Sequence, residues 1–400
     1  MLRRRAGVAL QVLAVCVLAA AVWVYVDRLS PRTVWHHTFD LRVYRGAVRW
    51  WLDGRPLYDF VRPHTEKGFT YPPFAVLCLL PLAIGTETTA TVLLTAVSAV
   101  LVVLTTWWLV GPVARRRGWP PAFAVGLAVP LVVAMEPVRE TLGWGQIDLV
   151  VATLVLGDVV ALNRGRRWAG VGIGLATAIK LTPGVFVVYL AVTKRWRAAA
   201  VAAGAFLAAT LLGAAVDPSA SVRYWTRTLW QTGRVGPPAD PNDQSLLGLL
   251  ARVAAPRPAS TVLWAALAAA VLAAGLWRAA RLHRRGDDLA GFVVTGVAGC
   301  LISPISWVHH LYWVVPAVVV LIDGGAWAAA AAAVLVWAAF AGSLIWLFPG
   351  RPPGVGTTIG ENAYVLLMLA LVAGLPARVT ASPSAARTTG PPRPAGSSPR

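Results

Sequence analysis

The chain has 400 residues, of which 57% are hydrophobic and only 13% charged, whereas a soluble domain carries roughly 25% charged residues. Apolar runs long enough to span a bilayer leave no room for a large soluble domain. The net charge of +19 does not indicate a nucleic-acid partner, because the arginines lie in short clusters between apolar runs. That pattern is typical of loops facing the anionic inner leaflet. Three cysteines inside apolar runs indicate neither a disulfide nor a metal site.

The apolar pattern predicts an all-α, polytopic transmembrane helical bundle. The first segment is too long for a signal peptide, so we expect an uncleaved helix with a cytoplasmic N-terminus. The segment 72–84 is short for a crossing and is expected to be re-entrant or steeply tilted. Helices are predicted near 7–26, 88–110, 120–135, 147–162, 168–193, 197–215, 260–278, 289–302, 308–322, 326–347 and 362–376.

The basic clusters at 115–117, 164–167, 194–197 and 278–285 are expected to be cytoplasmic. Residues 180–184 interrupt the segment 168–193 with a proline, and a pair of short helices hinged there keeps every cluster inside. This gives about twelve crossings with both ends cytoplasmic. The loops 27–87, 136–146, 216–259, 303–307 and 349–361 then face outward. Residues 1–376 are expected to form one domain, and 377–400 a disordered basic cytoplasmic tail.

The first outer loop contains Asp40, for which two roles are open. It can cap a juxtamembrane helix that begins at Leu41. Alternatively, a carboxylate in a low-dielectric cleft can act as a general base that takes a proton from a sugar hydroxyl. Arg42, Tyr44 and Arg45 lie within one turn and can balance charge or hold an anionic substrate.

Two further segments of this loop have mainly geometric roles. Asp53 and Gly54 are expected to end a helix with a glycine turn. Tyr71, followed by two prolines, fixes an extended entry into the next apolar segment.

The polar residues Gln146 and Lys180 lie beside or inside apolar segments. Gln146 and the nearby Asp148 can cap a helix or contact sugar hydroxyls, and these roles stay equally open. Lys180 lies deep in an apolar segment, where ionisable groups usually line a cavity, although a lysine can also snorkel to the interface. The adjacent proline break favours a site, and a lipid phosphate is a suitable counter-ion.

The later outer loops contain two more polar clusters. Asp243 and Gln244 close the loop 216–259, where amides and aromatic side chains can hold a sugar. His309 and His310 can bind a phosphate or assist proton transfer. A metal role is disfavoured, because adjacent residues point apart on a helix and no acidic or cysteine ligand is near in sequence.

Together these segments resemble the GT-C class of polytopic glycosyltransferases, and more specifically glycosyltransferase family 87. The resemblance covers residues 30–376. It rests on the order and spacing of the following motifs: Asp40 with Tyr44, Trp51-Leu52-Asp53-Gly54-Arg55-Pro56-Leu57-Tyr58, Thr70-Tyr71-Pro72-Pro73, Glu136-Pro137, Gly145-Gln146-Ile147, Ile179-Lys180-Leu181-Thr182-Pro183, Tyr224-Trp225, Asp243-Gln244-Ser245, and Ser303-Pro304 through His309-His310.

The resemblance implies an actinobacterial α-1,2-mannosyltransferase of the cell membrane, with its active site on the extracytoplasmic side. The donor would be polyprenyl-phosphate-mannose, the acceptor a glycolipid or lipoglycan, and no cofactor or metal would be needed. Asp40 would be the general base of an inverting single displacement. Lys180 with His309 or His310 would lie near the donor phosphate or the reacting centre. Many GT-C enzymes have a second acidic residue two positions after the first, where this chain has Arg42.

A secondary transporter is the main alternative, because it too would have many helices, a broken helix and an intramembrane lysine. The chain has no matching halves, and its polar motifs cluster on one face rather than at the midplane. The sequence therefore favours the glycosyltransferase.

Overall fold

The computed structural model describes residues 2–29, 38–352 and 354–378. These residues form helices, short 3-10 turns and connecting loops, with two isolated β-bridges and no strand among them. The prediction of an all-α fold is therefore confirmed for the described residues. Residues 379–400, which make up most of the predicted tail, lie outside the described part.

Nine helices form the first half of the described chain. The predicted break in 168–193 is confirmed, because one helix ends before Lys180 and the next begins after Pro183. The segment 136–146, expected to be a loop, is mostly helical. The helices are α1 Leu2–Leu29, α2 Phe39–Leu52, α3 Pro73–Ala83, α4 Glu87–Arg116, α5 Pro121–Ala134, α6 Glu136–Trp144, α7 Asp148–Asn163, α8 Val171–Ile179 and α9 Gly184–Val192.

Nine more helices form the second half. The outer loop expected over 216–259 contains two of them, and the predicted segment 308–322 becomes α-helical only from Val314, after a 3-10 turn over Val308–His310. The helices are α10 Trp196–Val216, α11 Pro218–Thr226, α12 Leu246–Ala254, α13 Thr261–Arg284, α14 Asp288–Ile302, α15 Val314–Asp323, α16 Trp327–Ala341, α17 Val355–Glu361 and α18 Ala363–Gly374.

Three helices, α4, α10 and α13, are individually long and apolar enough to cross a membrane. Two bent pairs, α5 with α6 and α17 with α18, bring the number to five if each pair is one span. The helix α3 has 11 residues, so it is about 16 Å long at 1.5 Å per residue, roughly half the hydrocarbon thickness. Its length fits the expected re-entrant or tilted segment.

The centre of the bundle is α14, in which all residues from Leu289 to Leu301 are buried. It packs against α9, α13, α15 and α18. A side chain at Gly296 would place its Cβ 2.3 Å from the ring of Trp313, so glycine permits the close approach of α15. This core holds the ends of α14 and α15 in a fixed relation, and the loop between them carries the histidine pair.

Buried polar contacts fix α6 against the C-terminal helices. Glu136 is fully buried and accepts hydrogen bonds of 2.5 Å from the Trp346 indole and the Tyr364 hydroxyl. Arg139 donates to Ser343 Oγ at 2.7 Å and to the Ala341 carbonyl at 3.0 Å. Because a buried charge needs such partners, these contacts determine where α6 lies and hence where Gln146 is presented.

At the other end of the bundle, Arg378 forms an ion pair with the buried Asp287, with 2.6 Å between Nη2 and Oδ1. Arg378, which the prediction assigned to the tail, thus pairs with the N-cap residue of α14.

Candidate active site

A cavity of about 390 Å³ lies where several helix ends meet. Six of the predicted site residues line it: Asp40, Tyr44, Gln146, Lys180, His309 and His310. Other contributions come from the segment that leads into α3, from the loop 228–242 and from the loop after α14: Lys67, Gly68, Phe69, Thr70, Tyr71, Gln231, Arg234, Asp240, Asn242 and Trp307. The structure therefore brings together residues that are up to 270 positions apart in sequence.

Asp40 lies in the first turn of α2, whose N-cap residue is Thr38. The capping interpretation placed Asp40 just before a helix that begins at Leu41, and the observed start of α2 at Phe39 does not fit it. Instead, Asp40 Oδ2 accepts a hydrogen bond of 2.8 Å from Gln146 Nε2.

Burial raises the pKa of the Asp40 carboxyl to about 6, against the lowering effect of the Gln146 hydrogen bond. The charge of Asp148 raises this pKa further, while the charges of Lys180 and Lys67 lower it. A carboxylate in this range is ionised at neutral pH and basic enough to accept a proton.

Gln146 is held by two tyrosines. Tyr44 donates to Gln146 Oε1, and the Tyr71 hydroxyl lies 3.2 Å from the same oxygen and 3.0 Å from the Tyr44 hydroxyl. These contacts occupy the amide oxygen and leave the amide nitrogen to face Asp40. Gly145 ends α6 with φ +68°, and a Cβ there would lie 2.8 Å from Leu41 Cβ, so glycine allows α2 and α6 to approach.

Lys180 lies at the break between α8 and α9, and its Nζ is 2.6 Å from Asp148 Oδ1. Ligand atoms of Asp148, His309 and His310 lie within 4.8 Å of one another, a spacing that a metal ion could use. The Lys180 ammonium already supplies a positive charge at this carboxylate, and a cation beside it would be repelled. The ion pair therefore leaves this carboxylate less negative charge to offer a metal ion.

His310 lies in the loop between α14 and α15. Burial lowers its pKa well below the usual histidine range, and the charges of Lys180 and His309 lower it further. The imidazole is therefore neutral at physiological pH. It can donate one hydrogen bond and accept another without adding charge.

Four predicted site residues do not line the cavity. Arg42 forms a salt bridge of 2.7 Å with Glu87, and Arg45 donates to the Gly85 carbonyl, so both fasten α2 to the turn before α4. Asp243 accepts from the backbone N–H groups of Ser245 and Ser306, and Gln244 donates to the carbonyls of Pro241 and Glu361. These contacts tie all four side chains into the frame around the cavity, and a substrate-binding role for them stays a prediction.

Among the cavity residues that were not predicted as site residues, Tyr71 and Lys67 act on Gln146 or Asp40. Asp148 lines a smaller neighbouring cavity together with Lys180 and His310, and its pairing with Lys180 was not predicted. Tyr71 was interpreted as a purely geometric residue, but its hydroxyl contacts Gln146. Asp148 follows Gln146 by two positions, and the buried charge of Lys180 was the signal that could have indicated it as a partner. Lys67 lies in a polar loop with no local pattern that sets it apart.

Comparison with known proteins identifies the family. The model of glycosyltransferase family 87 matches residues 69–304. The chain belongs to this family. The match begins after Asp40 and ends before His309, so both flank the matched stretch.

Several relatives are similar over most of their length. A polyprenol-phosphate-mannose-dependent alpha-(1-2)-phosphatidylinositol mannoside mannosyltransferase of Mycobacterium tuberculosis is 36% identical over 71% of this chain and 70% of its own. The protein of the same name in Mycolicibacterium smegmatis is 36% identical over 78% of this chain and 75% of its own. A related phosphatidylinositol pentamannoside mannosyltransferase of M. smegmatis is 33% identical over 86% of this chain and 83% of its own. No solved structure matches the chain significantly.

Membership of family 87 confirms that the protein is a glycosyltransferase. The alternative of a secondary transporter has no support in these comparisons.

Proposed function

We propose that this protein transfers mannose from polyprenol-phosphate-mannose to a phosphatidylinositol mannoside in α-1,2 linkage. The observation that carries the proposal is the 36% identity to mannosyltransferases of that donor and acceptor over more than 70% of the chain. The cavity supports it, because it combines a carboxylate base, Asp40, with the Lys180 ammonium and the His310 imidazole.

In the proposed mechanism, Asp40 takes the proton of the acceptor hydroxyl as its oxygen bonds to the anomeric carbon. The bond from that carbon to the donor phosphate breaks, and polyprenyl phosphate leaves with the electron pair. A single displacement of this kind inverts a β-linked donor into an α-linked product. The leaving phosphate gains negative charge, which Lys180 offsets and which neutral His310 can stabilise by donating a hydrogen bond.

We further propose that the cavity opens on the extracytoplasmic side and that the chain crosses the membrane about twelve times. Helix directions support this topology. The helix α7 begins at the cavity and ends next to the basic cluster 164–167, and α9 begins beside the cavity and ends next to 194–197. The helix α14 ends at the cavity and begins just after the cluster 278–285. The clusters therefore lie at the helix ends away from the cavity.

The function is tested with purified protein in liposomes that contain polyprenol-phosphate-mannose and a phosphatidylinositol mannoside, with a metal chelator present. We expect an α-1,2-mannosylated product by NMR. Transfer from a nucleotide sugar instead of the lipid donor, or a requirement for a divalent cation, would contradict the proposal.

The topology is tested by labelling intact cells with a membrane-impermeant maleimide, in a variant whose three native cysteines are replaced by alanine. The exposed residue Asp53, changed to Asp53→Cys, should be labelled. The control Arg285→Cys should react only after permeabilisation. The reverse pattern would place the cavity on the inner side.

A further inference from the structure

We propose that Lys67 and Arg234 form a second anion-binding subsite in the cavity, which binds the phosphodiester of the acceptor glycolipid. This inference rests on the proposed function and extends it, because it assigns to the acceptor two cations that the mechanism does not use.

Both cations are held at the cavity by contacts that leave hydrogen-bond donors available. Lys67 Nζ donates to the Val235 carbonyl at 2.8 Å, and Arg234 Nη2 donates to the Tyr58 carbonyl at 2.9 Å. An ammonium group has three donors and a guanidinium has five. Each side chain can therefore keep its anchoring bond and still contact a phosphate.

The two segments that carry these cations are built to lie close together. Val61 and Gly68 form an antiparallel bridge, so the segment between them folds back as a short hairpin that ends with Lys67 and Gly68. A Cβ at Gly68 would lie 2.5 Å from the Phe60 carbonyl and 3.1 Å from Arg234 Nη2. Glycine at this position therefore lets the two cations line the same end of the cavity.

Asp40 is influenced by cations from two different segments of the chain. The pKa of its carboxyl responds to the charges of both Lys180, which is paired with Asp148, and Lys67, which is anchored to the Val235 carbonyl. In a single displacement, the base and the leaving group lie on opposite sides of the anomeric carbon. Because the mechanism assigns Lys180 and His310 to the leaving phosphate, we assign Lys67 and Arg234, which are anchored to other segments, to the side from which the acceptor hydroxyl arrives.

The charge balance at this end favours an anionic ligand. Among the described residues of the loop 228–242, Asp240 is the only carboxylate that lines the cavity. Its Oδ1 already accepts a hydrogen bond of 2.8 Å from the Asn242 backbone N–H. Neither Lys67 nor Arg234 has an ion-pair partner among the described residues. A phosphodiester supplies a single negative charge with two acceptor oxygens, which suits two neighbouring cations.

The experiment compares two acceptors, a phosphatidylinositol mannoside and a neutral alkyl α-mannoside that lacks the phosphodiester. Lys67→Met and Arg234→Met should each lower kcat/KM for the charged acceptor by about tenfold or more. At a pH well above the pKa of Asp40, where the base stays ionised without the Lys67 charge, transfer to the neutral acceptor and the KM for the donor should change little. Lys67→Arg should restore the preference for the charged acceptor.

Arg227→Met is the matched control, because Arg227 is an exposed cation of the same segment that does not line the cavity. It should behave like the unmodified protein with both acceptors. An equal loss with both acceptors in Lys67→Met or Arg234→Met would reveal a merely structural role, and a raised donor KM would assign these cations to the donor. Stimulation of neutral-acceptor transfer by inorganic phosphate would assign the subsite to free phosphate. Each of these three results overturns the inference.

If the unmodified protein transfers mannose to neither acceptor, the proposed function is wrong, and this result is distinct from the three that overturn the subsite.

Discussion

The hydrogen bond from Gln146 to Asp40 should set the acid limit of catalysis. Gln146→Leu keeps the approximate volume of the side chain but removes the amide that donates to the carboxylate at 2.8 Å. Ionised Asp40 loses this stabilisation, so the pKa of its carboxyl should rise above its present value of about 6. A base with a higher pKa is protonated at a higher pH, and the range in which the enzyme is active should shrink from the acid side.

The size of the shift follows from the bond. A hydrogen bond to a charged group is worth about 1.5–3 kcal/mol, and about 1.4 kcal/mol corresponds to one pKa unit. The acid limb should therefore move by about one to two units, to a midpoint of about 7 to 8. At about pH 6.5 the ionised fraction of Asp40 would fall from about three quarters to about a tenth.

The assay is kcat/KM for mannose transfer in liposomes between about pH 5 and 9. Gln231→Leu is the matched control, since Gln231 lines the same cavity and has no described contact with Asp40. Its acid limb should stay at about 6. If Gln146→Leu lowers the rate equally at every pH and leaves the acid limb in place, then Asp40 is not the titrating base.

Three further predictions concern the donor cluster and the frame of the site. Lys180→Met should lower kcat/KM for the donor by about tenfold or more, whereas the exposed Lys194→Met should have no effect; equal rates in both variants would remove Lys180 from the donor site. Gln244→Leu should lower the free energy of unfolding by about 1–3 kcal/mol, since it leaves two carbonyls unpaired, and should not change KM; an increased KM with unchanged thermal stability would restore Gln244 as a substrate ligand. Gly68→Ala would place Cβ 2.5 Å from the Phe60 carbonyl and should reduce transfer; unchanged transfer would show that the hairpin adjusts freely.

Much of the helical architecture could be predicted, because apolar runs and helix breakers act locally. The segment 168–193 divides at Pro183 as expected, and α2 ends at a turn in which Gly54 has φ +78°. Asp40 and Lys180 could also be chosen from the sequence, since a charged group in apolar surroundings needs a compensating environment.

The partners of these charges could not be predicted in the same way. Asp148 and Lys180 are 32 positions apart and meet only because α7 and α8 pack side by side. In the sequence around it, Arg42 looks like a residue that could bind a substrate. In the structure, its Nε lies 2.7 Å from Oε1 of Glu87, the first residue of α4. Only the tertiary packing distinguishes a cation that faces the cavity from one that faces a neighbouring helix.

The central claim is that Asp40 accepts the proton of the acceptor hydroxyl. Its most direct test is the single-turnover rate of Asp40→Asn with bound polyprenol-phosphate-mannose, alongside Asp53→Asn as a control at an exposed helix end. We predict a rate about 10²- to 10⁴-fold lower with donor affinity retained, and no loss in the control. A rate for Asp40→Asn within about threefold of the unmodified enzyme, well below the usual contribution of a general base, would contradict the assignment.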